Sequence, residues 1–406
     1  MPREPVRAAP ISANISDVVG IKERTALQRL FANQAIWVAF AVALIMGLMS
    51  LRYPNEYGTE ENFFNITRNF SFIGIMALGM TAVIITGGID LSVGSVMGVV
   101  GIVVGLTMHA GDDVLFEIVA GLSVGVAVAL IVGLILRRRG KHWPITLLGA
   151  AVPAVVAAGV VYWLVATVAS DFAAAAGNHW AFAVYLGLWA GMLCGMFNGV
   201  LITTIGLPPF VTTLATLAAL RSAAVVLSQN KMIYQLGPSA QQFFDLFGGQ
   251  FIVANSVWLL VVMTLGFAFV LNATVWGRHL FAIGGNEQAS QLTGVPVVKV
   301  KLQAYIFCSM CAAVAAIMLL GWQGSAINAL GTGYELRVIA STVIGGTNLI
   351  GGEGGALGAF VGAALIEVIR NGLILAGVDS SWQGMFVGAF IILAVLLERV
   401  RGRKRE

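Results

Sequence analysis

Two distant stretches of this chain place a short polar side chain inside a long apolar run, directly beside glycines. The first is Gly87-Gly88-Ile89-Asp90-Leu91-Ser92-Val93-Gly94, and the second is Gly345-Gly346-Thr347-Asn348-Leu349-Ile350-Gly351-Gly352. Backbone that opens at membrane depth is tolerated only where it is buried in protein or lines a cavity. Paired, glycine-broken apolar segments point to a transport route. The pattern therefore predicts that the chain moves a solute across a bilayer and that both breaks border the route.

Asp90 is the sharpest single candidate for a functional side chain. A charge inside a membrane segment is costly and is by default a functional hypothesis. Asp90 either contacts the solute or caps the helix that begins near Ser92, because Asp is a favoured N-cap residue. The same two alternatives apply to Asn348 in the second copy. The breaks thus supply these candidate route residues: Gly88, Asp90, Ser92, Gly94, Gly346 and Asn348.

The composition indicates the elements that must position these residues. The 406-residue chain is 58% hydrophobic and only 10% charged, whereas a soluble domain averages about 25% charged residues. A helical bundle fits better than a membrane β-barrel, because the strands of a barrel alternate apolar and polar residues and the apolar runs here are continuous. The predicted fold is all-α, a polytopic membrane helical bundle.

Apolar runs of helix length set the number of spans. A helix needs about 17–25 apolar residues to cross the hydrocarbon core, which gives about 10–12 spans. The runs beside the two glycine breaks are short and are either half-helices or re-entrant pieces. The predicted spans lie near 35–51, 70–86, 94–108, 118–136, 144–169, 181–204, 210–228, 256–276, 302–321, 337–351, 355–377 and 384–397.

The distribution of Lys and Arg predicts the orientation. Most of the 23 basic residues lie in the two terminal tails and in alternate loops, and the positive-inside rule places such regions in the cytoplasm. Both ends are therefore expected to be cytoplasmic. The chain divides into a cytosolic tail (1–34), a transmembrane domain (35–398) and a basic cytosolic tail (399–406).

The cytoplasmic loop 277–301 contains a short predicted helix. Asn286 suits its N-cap, Glu287 suits the positive end of its dipole, and Gly294 followed by Pro296 suits its C-terminus. A helix this short is not stable alone in water. It packs either on its own bundle or in a groove of a cytosolic partner, and the length of the loop favours the partner.

The remaining polar residues indicate packing rather than chemistry. Cys308 and Cys311 are read as small residues of a packed helix. Glu367 and Arg370 are three residues apart on one helix and can pair. Arg221 either extends outward or meets a carboxylate on another span. The sequence shows no metal-ligand cluster and no nucleophile-and-base arrangement.

Four blocks, occurring in one order from about residue 70 to 400, carry a family resemblance. They are Met76–Thr81 running into Gly88–Ser95, Phe197-Asn198-Gly199 with Leu207–Leu214, Gly284–Ala289 with Leu292-Thr293-Gly294, and Val343–Gly352. Together they resemble the permeases of sugar importers of the ribose and xylose type, over most of the chain. The resemblance adds Asn198 to the candidate route residues.

The resemblance implies the permease subunit of an ATP-binding-cassette (ABC) importer. Such permeases usually pair as dimers in the inner membrane, surrounded by lipid, with a cytosolic ATPase at the coupling loop and a periplasmic sugar-binding protein. No nucleic acid partner is implied. The chain lacks a G-x-x-x-x-G-K-[ST] phosphate loop and is expected to be neither an enzyme nor a cofactor-binding subunit, the ATP being used by its partners. The implied ATPase contacts are Gly285, Asn286, Glu287, Ala289, Leu292 and Gly294.

One departure from the family pattern keeps alternatives open. Residues 137–180 add a basic turn and an apolar segment, which leaves the span count and the substrate subclass undecided. A branched-chain amino acid permease of the same superfamily is the first alternative. An independent ion-coupled carrier and an intramembrane enzyme are the others.

Overall fold

The computed structural model describes residues 34–110 and 179–379, together with isolated helical positions in 153–160 and 382–392. A five-residue π-helical turn, Phe244–Gly248, and two short antiparallel strands, β1 (Gln250–Phe251) and β2 (Val253–Ala254), interrupt an otherwise helical chain. The helices are α1 Gln34–Arg52, α2 Glu60–Ile85, α3 Val93–Ala110, α4 Trp180–Thr203, α5 Pro209–Leu227, α6 Ala240–Phe243, α7 Asn255–Ala273, α8 Val275–Gly285, α9 Glu287–Leu292, α10 Val297–Gln323, α11 Tyr334–Ile344 and α12 Ala356–Leu375.

This is the predicted all-α membrane bundle. Seven of the described helices are long and apolar enough to cross a bilayer, namely α1, α2, α4, α5, α7, α10 and α12. The predicted spans 35–51, 181–204, 210–228, 256–276, 302–321 and 355–377 are confirmed, within a few residues at most ends, by α1, α4, α5, α7, α10 and α12. The predicted span 94–108 coincides with α3, which is apolar but shorter than the seven. The predicted span 118–136 lies outside the described residues, and the spans 144–169 and 384–397 do so apart from isolated helical positions.

The predicted span 70–86 is too short at its beginning. Helix α2 begins at Glu60, because Thr59 caps it: the Thr59 hydroxyl accepts the Asn62 backbone N–H at 3.2 Å. Acidic residues in the first turn suit the positive end of the helix dipole. A capped polar turn therefore extends this helix well beyond its apolar run.

The predicted span 337–351 is wrong. Helix α11 covers only Tyr334–Ile344, and the chain leaves it at Gly346, whose φ is 99°. Eleven residues rise about 16 Å, roughly half of a 30 Å hydrocarbon core. Of the two possibilities that the sequence left open, a half-helix is the one observed.

Helices α2 and α10 form the centre of the bundle. Every residue of α2 from Phe70 to Ile85 is buried. The two helices approach so closely that a Cβ on Gly79 would lie 2.7 Å from the Cα of Cys308. Cys308 and Cys311 are free and buried in this contact, as the sequence predicts for small packing residues.

Helices α8 and α9 mark one end of the bundle, which we call the α9 end. Both glycine breaks lie there, since the carbonyl of Ile85 at the end of α2 accepts the N–H of Gly352 at 2.9 Å and Gly284 of α8 contacts both residues. Helix α1 begins there too, because Gln34 Nε2 donates to the carbonyl of Ile344 at 3.0 Å.

Candidate functional site

The first break comprises residues 86–92, between α2 and α3. Gly87 takes a left-handed conformation with a φ of 77°. Its N–H donates to the carbonyl of Ile84 at 2.8 Å, and the N–H of Gly88 donates to that of Val83 at 3.1 Å. These two bonds form a Schellman motif, which ends α2 and satisfies its last carbonyls.

Asp90 lies fully buried in the first break. Its Oδ1 accepts the backbone N–H of Ser92 at 2.9 Å and the Ser92 hydroxyl at 2.6 Å. Within the described residues, Oδ2 has no hydrogen-bond partner. Asp90 therefore turns the chain into α3 with one oxygen, as a cap does, and leaves the other oxygen available.

A chain of buried hydrogen bonds connects the first break to α4 and α5. Asn198 Nδ2 donates to the Ser92 hydroxyl at 2.8 Å, and the Thr216 hydroxyl donates to Asn198 Oδ1 at 2.7 Å. The Thr213 hydroxyl also lies 3.3 Å from the carbonyl of Ile89. Buried polar side chains of this kind are stabilising only when they are mutually satisfied. Asn198 is thus brought to Asp90 and Ser92, whereas Thr213 and Thr216 were missed as site residues.

The second break comprises residues 345–355, between α11 and α12. The N–H of Gly346 donates to the carbonyl of Val343 at 2.9 Å, and that of Thr347 donates to Thr342 at 3.0 Å. Asn348 Oδ1 accepts the N–H of Ile350 at 2.8 Å. The two breaks therefore use the same devices: a Schellman motif followed by a turn closed by an Asp or Asn side chain.

The two breaks differ in register and exposure. The left-handed residue is the first glycine of the pair in one break, Gly87, and the second in the other, Gly346. Asp90 is buried, whereas Asn348 is only partly buried. The sequence alignment of Asp90 with Asn348 therefore holds for the side-chain turn and is shifted by one residue for the helix ends.

Two more route candidates face side chains from elsewhere in the chain. A Cβ on Gly88 would lie 2.5 Å from the Tyr305 hydroxyl, which is buried and has no hydrogen-bond partner among the described residues. A Cβ on Gly94 would clash with a carboxylate oxygen of Glu335. Tyr305 and Glu335 were missed because nothing near them in the chain marks them as neighbours of a break.

Helix α9 confirms the predicted caps. Asn286 Oδ1 accepts the N–H of Ala289 at 2.9 Å. At the other end Gly294 has a φ of 86°, its N–H donates to Gln291, and the N–H of Val295 donates to Ser290. The preceding part of the predicted loop is not a loop, because it forms α8.

Helix α9 presents an uncovered surface. Ala289 is exposed, and the Leu292 side chain is 89% exposed. A salt bridge of 2.6 Å from Lys301 Nζ to Glu287 Oε2 connects α9 to α10. The predicted contact residues Ala289 and Leu292 therefore lie on the uncovered side of α9. The other predicted contact residues, Gly285, Asn286 and Gly294, flank the same helix.

Two charged groups that the sequence places inside spans, Arg370 and Arg221, form hydrogen bonds. Arg370 Nε donates to Glu367 Oε2 at 2.8 Å, which confirms the predicted pair. Arg221 Nη1 donates to the carbonyl of Leu330 at 2.9 Å, and the Glu335 carboxylate lies within electrostatic range. In the part of the chain that the structure describes, no group of three or more His, Cys, Asp or Glu side chains could hold a metal ion.

The match to a known family covers most of the chain. Residues 62–174 and 154–395 match the family described as "Branched-chain amino acid transport system / permease component". The chain belongs to this permease family. The two matched parts overlap in 154–174, inside the stretch 137–180 that the sequence marks as an addition.

Relatives of this permease include sugar importers. A probable ABC transporter permease protein of Sinorhizobium fredii is 30% identical over 370 residues, 91% of this chain and 90% of the relative. The ribose import permease protein RbsC of Escherichia coli K12 is 31% identical over 360 residues, 88% of this chain and 91% of the relative. The fructose import permease protein FrcC of Rhizobium meliloti is 32% identical over 247 residues, 59% and 69%. No solved structure gives a significant match.

Family membership and the seven apolar helices together make this permease a multi-pass inner membrane protein and a transport component. The resemblance stated from the sequence motifs is confirmed.

Proposed function

We propose that this permease is the translocation subunit of an ABC importer that carries a sugar, a pentose, a hexose or a polyol, across the inner membrane. Separate cytosolic ATPase subunits drive it, and the permease itself binds no cofactor. The relatives named for ribose and fructose import support the substrate class. The observation that carries the mechanism is that both breaks meet beside α9, which has an exposed surface.

The solute route passes the first break. Asp90 Oδ2 and the Tyr305 hydroxyl are buried polar atoms whose bonds are unfilled within the described residues, and such atoms cost free energy until they find a partner. Sugar hydroxyls both donate and accept hydrogen bonds and fit this need when the route opens. Ser92 and Asn198 hold Asp90 in place. Gly88 lies in the first break, Gly94 in the first turn of α3, and Gly346 and Asn348 in the second break.

The ATPase contacts α9, and the α9 end is cytoplasmic. Basic residues support this orientation, because Arg278 lies in α8, Lys299 and Lys301 lie at the start of α10, and each tail carries five Lys or Arg residues. Helix α1 begins at the same end. Both termini are then cytoplasmic, and a periplasmic sugar-binding protein docks at the opposite end. The contact residues are Gly285, Asn286, Glu287, Ala289, Leu292 and Gly294.

The lateral surface of the permease contacts lipid and a second copy of the chain. Helices α5 and α7 expose large apolar side chains such as Val226, Val262 and Phe269. Apolar surface of this extent is stable only against hydrocarbon or another apolar surface. A homodimer and surrounding lipid account for it.

The test is transport by the complete importer in proteoliposomes. The purified permease is reconstituted with the ATPase and binding protein encoded beside it, and uptake of labelled ribose, fructose and leucine is measured with and without ATP. ATP-dependent sugar uptake supports the proposal. Uptake of leucine alone would favour the amino acid alternative, and uptake by the permease alone under an ion gradient would contradict the ABC mechanism.

A further inference from the structure

Three glycine-containing turns meet at the α9 end of the bundle. They are Ile85–Gly87 at the end of α2, Gly284–Gly285 at the end of α8, and Gly351–Gly352 in the second break. We call this meeting point the glycine junction. Its one direct hydrogen bond joins the Gly352 N–H to the Ile85 carbonyl at 2.9 Å.

The contacts in the glycine junction are between backbones. A Cβ on Gly284 would overlap the Ile85 carbonyl oxygen and the Gly352 nitrogen. A Cβ on Gly351 would lie 3.0 Å from both the Gly87 nitrogen and the Ile85 oxygen. Close packing of this kind transmits displacement, because interiors have few voids and low compressibility. The atoms nearest to Gly284, Gly351 and Gly352 are all backbone atoms, which cannot change rotamer to absorb a shift.

The glycine junction connects α9 directly to both breaks. Gly284 is separated from the N-cap of α9, Asn286, by Gly285 alone. On the other side, Ile85 leads through Gly87 into the first break, and Gly352 belongs to the second. A displacement of α9 along or across its axis therefore reaches both breaks through two residues of backbone.

We propose that the glycine junction transmits a displacement of α9 to both breaks at the same moment, and that Gly284 is its positioning residue. The proposal rests on the proposed function, in which the ATPase loads α9. When Gly284 moves, the Ile85–Gly352 hydrogen bond breaks, the end of α2 separates from the second break, and the turn that holds Asp90 is released. Movement of both breaks is thereby tied to one nucleotide-driven event.

A purely structural role for Gly284 makes a different prediction. Gly284 lies in the last turn of α8, and its φ is not in the left-handed region. In such a helical position Ala is a better helix former than Gly by about 1 kcal/mol. By local propensity alone Gly284→Ala would be harmless. Any defect must come from the contacts with Ile85 and Gly352.

The test compares Gly284→Ala with Gly266→Ala in the complete reconstituted importer. Gly266 lies within α7, away from both breaks and from α9, and a Cβ there meets nothing within 4 Å. We expect Gly284→Ala to keep ATP hydrolysis while solute transported per ATP falls about tenfold, equivalent to about 1.4 kcal/mol, and Gly266→Ala to behave as wild type. An unchanged ratio, or a parallel loss of hydrolysis, uptake and thermal stability, overturns the proposal.

Amide hydrogen exchange provides a measurement that does not depend on the variant folding. In the wild-type importer, we expect the Gly352 amide to exchange about tenfold faster when the ATPase binds ATP, because local opening governs exchange. Unchanged protection overturns the proposal. A wild-type importer that transports no solute contradicts the proposed function, and the exchange measurement still decides the glycine junction.

Discussion

The two breaks share their local construction and differ in what surrounds them. In the first break, Asp90 is buried and is held by a hydrogen-bond chain from α4 and α5. In the second break, Asn348 is only partly buried and the longer loop contacts α1, α2 and α8. The first break holds polar groups inside the bundle. In the proposed mechanism, the second break receives the movement of α9.

The largest difference between the two breaks is expected when the side chains that close their turns are removed. Asp90→Ala leaves the Ser92 N–H and hydroxyl without their buried acceptor, so we expect the free energy of unfolding to fall by about 3 kcal/mol. Asn348→Ala loses one partly exposed bond and should lower it by about 0.5–1 kcal/mol. Denaturant unfolding of the purified variants in one detergent measures both. Equal losses would mean that the breaks are energetically alike.

The hydrogen-bond chain behind the first break is the next target. Asn198→Leu removes the donor to Ser92 and the acceptor of Thr216, and we expect a loss of about 2 kcal/mol in the free energy of unfolding. The matched control is Asn272→Leu on α7, since Asn272 is exposed and donates only within its own helix. If both variants unfold at the same denaturant concentration, these hydrogen bonds do not stabilise the first break.

The exposed surface of α9 sharpens the role assigned to the second break. The double variant Asn286→Ala with Leu292→Ala loses a cap, worth about 1 kcal/mol, and an apolar contact. We expect a roughly tenfold weaker ATPase affinity, about 1.4 kcal/mol, with normal levels of the permease in the membrane. Binding of the labelled ATPase to proteoliposomes measures it. Leu51→Ala, at an exposed leucine of α1, serves as control, and undiminished ATPase binding by the double variant contradicts the docking surface.

Two glycine substitutions test whether the two helix ends are equivalent. Gly87→Ala and Gly346→Ala each force an L-residue into a left-handed conformation, so each should lower the free energy of unfolding by about 1–2 kcal/mol. Gly266→Ala on α7, where a Cβ meets nothing within 4 Å, should cost nothing. Unfolding curves for the three variants decide it. If the free energy of unfolding falls for only one of Gly87→Ala and Gly346→Ala, the two turns contribute differently to stability although their geometry is the same.

Much of the fold could be predicted because its signals are local. The caps of α9 depend on Asn286 and Gly294, which bond to residues a few positions away. The boundaries that were wrong also have local reasons. Helix α2 extends into a polar capped turn, and α11 stops at Gly346 inside an apolar run. The length of an apolar run locates the ends of a lipid-exposed helix well. It locates less well the ends of a helix that are fixed by hydrogen bonds.

Less of the candidate site could be predicted. Asp90 and Asn348 stand out by being polar within apolar runs, whereas Thr216 and Tyr305 look like ordinary residues of packed helices. Their roles come from neighbours far away in the chain, since Thr216 meets Asn198 and Tyr305 faces Gly88. Sequence spacing along one helix carries no information about which other helix lies opposite.

The amino-acid sequence by itself determined the class of molecule, the approximate spans, the two interrupted segments and the capped helix α9. These depend on burial of apolar runs and on hydrogen bonds between near neighbours. Only the tertiary structure decided that Ile85, Gly284 and Gly352 meet. The reason is that contacts between residues remote in the chain are set by how closely whole helices pack, and glycines permit that approach without showing from the sequence which backbone will lie against them.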